Sequence, residues 1–145
     1  MGTWDIGPFN NDTAADFGCD LDDAPMDERE AMIRAVLARA ADSTDHLDMP
    51  DGERAVAAVA LVAGQHPDGE PACLHHGPSE PLPMLPADLR PLAVEALDQV
   101  VSERSDLTEE WTEAANGSKW RQDIKRLRDV LDPPTAPQAE TLFEI

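Results

Sequence analysis

Apolar side chains recur along this chain at intervals of three and four, the spacing that gathers them on one face of an α-helix. The first run is Ala14, Phe17 and Leu21, with Asp16, Asp20, Asp22 and Asp23 covering the remaining positions. Asn10, Asn11 and Asp12 stand just ahead of it, and a short side-chain oxygen there can accept from the open amides of a first turn. A helix is therefore predicted to begin at these residues and to end near Pro25. A second is predicted from about Pro25 to Ala41 on Ile33, Val36, Leu37, Ala40 and Ala41, with Asp27, Glu28 and Glu30 crowding the first turn, where the helix dipole favours anions. Asp42 to Asp48 reads as a loop. Pro50 suits the first turn of a third helix running to about Ala63, with Gly64 as its stop. Ala55, Val56, Val59, Ala60, Leu61 and Val62 make that helix apolar nearly all round, so it is predicted to be the central one.

Residues 65–86 hold six of the thirteen prolines and no periodicity, which predicts a long, partly extended connection. Leu89, Leu92, Ala93, Ala96, Leu97, Val100 and Val101 predict a fourth helix from Ala87 to about Glu103. Asp106 followed by Glu109 resembles a capping box, and with Leu107 and Trp111 one turn apart it predicts a short fifth helix ending before Asn116 and Gly117. Ser118 is positioned to cap a sixth, in which Trp120, Ile124, Leu127 and Leu131 oppose Lys119, Arg121, Lys125, Arg126 and Arg128. Pro133 and Pro134 stop it, leaving 133–145 as a tail. No alternation persists long enough for a strand, and no repeat occurs at a solenoid period. The expectation is one all-α domain over 1–132, a compact bundle of five or six helices. Trp4, Ile6 and Phe9 lie in an N-terminal arm whose Gly2, Gly7 and Pro8 let it turn back, so the arm is predicted to dock on the bundle.

At 145 residues the chain is sized for a single domain with its own core. Thirty acidic side chains against eleven basic ones give a formal charge of −19, which disfavours phosphate-driven binding to nucleic acid and to anionic membranes. The most apolar stretch, Ala55 to Pro67, is too short for a bilayer-spanning helix, and the first residues carry neither a basic nor an apolar leader region. Cys19 and Cys73 stand apart, without a CxxC pair. The expectation is a cytoplasmic protein with reduced thiols.

The candidate chemistry is sparse. Asp12, Asp16 and Asp20, spaced by four, could offer oxygen ligands to a hard cation with Asp5 or Asp23 nearby, or could form a solvated acidic face plus a helix cap. Neither Asp20-Leu21-Asp22 nor Asp42-Ser43-Thr44-Asp45 continues as a calcium loop. Cys73, His75 and His76 lack the second ligand pair of a zinc site, and His46 and His66 have no supporting spacing. Cys19 lies among aspartates, whose negative potential disfavours a reactive thiolate, and there is no nucleophile elbow. Gly117-Ser118-Lys119 lacks the upstream glycine of a phosphate loop. With thirty acids, accidental carboxylate pairs are inevitable and carry no information. Trp4, Trp111 and Trp120 could line one pocket or could each anchor a core otherwise short of aromatics. No cofactor and no metal site is expected.

The opening Met1-Gly2-Thr3-Trp4-Asp5-Ile6-Gly7-Pro8-Phe9-Asn10-Asn11-Asp12-Thr13-Ala14-Ala15-Asp16-Phe17 resembles the start of a bacterial group, domain-of-unknown-function family 4259. The Ala-Leu-Asp pattern within Ala93 to Val101, Ser105-Asp106-Leu107 leading to Trp111, and Trp120 leading through Leu127 to Leu131 extend the resemblance over most of the chain. Asp5 departs from it, standing where a small residue is common. The resemblance implies a small helical protein and brings no activity with it. Charge therefore leads the functional expectation: a non-catalytic module docking on a basic protein, as immunity or accessory proteins do. The alternative is a small-molecule or metal binder, or an enzyme, using the first-helix acids and a Trp-lined pocket. The residues on which these readings rest are Trp4, Asp5, Phe9, Asn11, Asp12, Asp16, Asp20, Trp111 and Trp120.

Overall fold

The computed structural model describes residues 12–43, 46–65, 85–112 and 117–132. Among them six helices form: α1 (Asp12–Asp23), α2 (Met26–Ala41), α3 (Met49–Gly64), α4 (Leu89–Val100), α5 (Asp106–Thr112) and α6 (Gly117–Leu131). They pack on one another as a compact all-α bundle. The arm with Trp4, Asp5, Phe9 and Asn11, most of the proline-rich connection, including His66, Cys73, His75 and His76, and the tail from 133 onward lie outside the described residues.

Helix α3 is the axis, packing on α1, α2, α4, α5 and α6. Its sequence explains this position. Every residue from Ala55 to Ala63 is buried, and five of those nine are alanines, so neighbouring helices can approach from all sides without a large side chain holding them off. The larger side chains come mostly from outside: Ile33 and Leu37 from α2, Leu89 and Leu97 from α4, and Phe17 and Leu21 from α1. Burial on this scale stabilises by about 1.5–3 kcal/mol for each large apolar side chain, and it holds together helices that are mostly too short to persist alone.

The helix ends depart from the sequence expectations in five places, each for a visible reason. Helix α4 starts at Leu89 rather than Ala87, because Pro86 and Ala87 instead accept from the Leu89 and Arg90 amides in tight turns. It stops at Val100 rather than near Glu103, since the chain turns there to present the Arg104 carbonyl to the Leu47 amide. Gly64 is the last residue of α3 and not its stop: the C-cap is Gln65, in right-handed geometry. The cap of α5 is Ser105, one residue ahead of the expected Asp106, with its hydroxyl accepting from the Thr108 amide at 3.4 Å. Ser118 lies inside α6, which already begins at Gly117.

One feature was illegible in the sequence. Leu47 and Ser105 form an isolated parallel bridge, in which the Leu47 amide donates to Arg104 O at 3.0 Å and the Asp106 amide donates to Leu47 O at 3.0 Å. It joins the approach to α3 to the approach to α5.

Candidate functional site

Helix α1 carries five aspartates and no basic residue. Ala14, Phe17, Gly18 and Leu21 are its buried set. At 100° per residue, Asp12, Asp16, Asp20 and Asp23 fall within roughly 80° of one another on the opposite side, with the exposed thiol of Cys19 just beyond the edge of that arc. None of the four has an ion-pair partner among the described residues, whereas the carboxylates of other helices are regularly paired: Asp51 with Arg39 and Arg54, Glu30 with Arg34, Asp98 with Arg128, and Asp129 with Lys125. Acids in the last turn of a helix also face the negative end of its dipole. The chain answers this with Arg29 of α2, which is buried and donates Nε to Ala24 O at 3.0 Å and Nη2 to Asp22 O at 3.2 Å. The carbonyls at the end of α1 are thus satisfied from α2, and the aspartate side chains of the stripe are left to solvent.

Trp111 of α5 and Trp120 of α6 stack with ring centroids 5.7 Å apart and planes 7° from parallel. Trp111 is 6% exposed and Trp120 is 2% exposed, so each indole covers a face of the other inside the core. This pair pins α5 to α6. The two indoles are buried, whereas the carboxylates of the α1 stripe are exposed.

A third group of polar side chains comes together at the Leu47–Ser105 bridge. In extended chain, alternate residues point to opposite sides. Leu47 and Ser105 point inward and are buried, which turns His46, Asp48 and Asp106 outward together. His46 Nε2 lies 2.9 Å from the Asp106 carboxylate and 3.6 Å from that of Asp48. Among the described residues this is the one place where three metal-ligating side chains converge, and Asp12, Asp16 and Asp20 are not part of it. In the sequence His46 has no partner at ligand spacing. The signal that brings Asp106 to it is a single bridge, too short to register as alternation.

Fold and surface together define a small α-helical domain with one helix face given over to carboxylates that have no ion-pair partner among the described residues. Residues 2–123 match the family described as a domain of unknown function, DUF4259, and the chain belongs to that family. No curated protein and no solved structure matches it. No helix among the described residues is long and apolar enough to cross a membrane.

Proposed function

We propose that this protein is a non-catalytic, cytoplasmic binding module that docks on a basic protein through the aspartate stripe of α1. The observation that carries the reading is the stripe itself. Like charges three and four residues apart destabilise a helix, by about 0.2–0.5 kcal/mol per pair. Here Asp12, Asp16, Asp20 and Asp23 bear that cost with no counter-ion among the described residues, in a protein that pairs its carboxylates on most other helices. Retaining such an arrangement is reasonable if a cationic surface neutralises it on contact, with the overall charge of −19 accelerating encounter and discouraging nucleic acid.

The test is affinity capture from native lysate at low salt with the wild-type chain, the Asp16→Asn/Asp20→Asn variant and a Glu109→Gln/Glu110→Gln control. A basic protein retained by the wild type and the control, released by salt, and lost with the α1 variant is the expected result. Retention that is indifferent to the α1 substitutions would refute the stripe as the docking face.

A further inference from the structure

We infer that His46, Asp48 and Asp106 form a binding site for a first-row divalent transition ion, of which Zn²⁺ is the natural probe. Ligand atoms about 2.1 Å from such an ion lie roughly 3.0 Å apart at neighbouring corners of an octahedron and roughly 3.4 Å apart in a tetrahedron. The His46 Nε2 separations of 2.9 Å and 3.6 Å already match these spacings, and all three ligand atoms lie within 4.8 Å of one another. Only small side-chain rotations separate the trio from a three-point site with its remaining positions open to water.

Two further observations set this trio apart from an ordinary exposed acid pair. Asp48 is the N-cap residue of α3, yet its carboxylate makes no capping hydrogen bond and turns to His46 instead. Asp106 is likewise relieved of capping by the Ser105 hydroxyl. Both carboxylates are thus withheld from the local task their positions would ordinarily give them. The backbone beneath is also fixed: Leu47, Ser105 and Leu107 are buried, and Leu47 and Leu107 both close over Gly52 of α3. Of the neighbouring cations, Arg104 donates to Gln99 Oε1 at 2.6 Å, and Arg39 is committed to Asp51 at 2.9 Å while exerting a weaker pull on Asp48. The donor set of one imidazole and two carboxylates selects Zn²⁺, Co²⁺, Ni²⁺ or Mn²⁺ over Ca²⁺ and Mg²⁺, which take oxygen ligands alone.

This site is independent of the α1 docking face, and its test is separate. The full chain is titrated with Zn²⁺ while amide NMR signals and calorimetric heat are followed, alongside His46→Ala and Asp106→Asn variants whose fold is checked by circular dichroism. The expected result is a saturable shift of the 46–48 and 105–107 signals, with affinity lowered roughly tenfold or more in each variant, and no comparable response to Ca²⁺. The inference is overturned by shifts confined to the segment carrying His66, Cys73, His75 and His76. It is equally overturned by titrations unchanged in both variants, or by a Ca²⁺ response equal to that of Zn²⁺.

Discussion

At the scale of single residues, two helical glycines make opposite demands. A β-carbon on Gly52 would stand 3.5 Å from the Leu107 β-carbon and 3.8 Å from Leu47, which is ordinary contact. A β-carbon on Gly117 would collide with the Trp111 carbonyl, because α6 starts directly against the chain of α5. Gly52→Ala should therefore stabilise the protein by about 0.5–1 kcal/mol through reduced backbone entropy in the unfolded chain. Gly117→Ala should cost on the order of 1–3 kcal/mol, as overpacking does. Urea denaturation of the two variants checks both signs, and a destabilised Gly52→Ala would mean that α3 and α5 cannot yield even the little room required. Arg29 is a second residue whose role is local. Replacing it with Met keeps the buried aliphatic stem but leaves the Ala24 and Asp22 carbonyls without their charged donor. A loss of about 1.5–3 kcal/mol is expected in the same assay. A neutral result would show that water replaces the guanidinium at that corner.

At the scale of elements, α2 and α4 are joined outside the core by Arg34, which donates to Glu30 at 2.9 Å and to both oxygens of Asp88 at 3.1 and 3.2 Å. The guanidinium holds the Asp88 carboxyl below the usual carboxylate range. A carboxyl depressed in the folded state stabilises the fold above its unfolded pKa, and that contribution fades as pH falls through the folded value. Wild type and Asp88→Asn should thus differ by a small, constant margin at neutral pH, and the margin should close below about pH 4. Thermal melts of both across that range decide it, and a margin that persists into strong acid would assign the difference to something other than this ion pair. The same corner shows where sequence was legible. Periodicity located all six helices because burial on α3 dictates which faces turn inward, and Ile33, Leu37, Leu97 and Ile124 repeat at the required spacing. The ends were less legible because they are set by partners remote in sequence: Asp88 turns to Arg34, Arg104 to Leu47, and Ser105 takes the cap that Asp106 would have supplied. The acidic stripe could be read from spacing alone, whereas the His46 trio could not, since it is assembled by one bridge between distant segments.

At the scale of the whole molecule, charge is unevenly distributed. Helix α1 has five aspartates and no cation, while α6 has five cations against two aspartates. With a net −19 on 145 residues, repulsion among the acids opposes the compact state, and salt relieves it at distances beyond the Debye length, about 10 Å at 0.1 M. The melting temperature should rise between low and moderate NaCl. Asp16→Asn/Asp20→Asn should begin from a higher melting temperature and respond less to salt, since it removes the centre of the stripe and relieves like-charge pairs worth about 0.2–0.5 kcal/mol each. A flat salt response in the wild type would mean that its charges are already compensated and that repulsion does not limit its stability. Read beside partner capture, this one variant separates the two explanations for the stripe. If the charge serves docking, the variant gains stability and loses its partner in the same step. If it serves only to keep the chain dispersed, stability rises while capture is unchanged and the variant becomes less soluble near its pI.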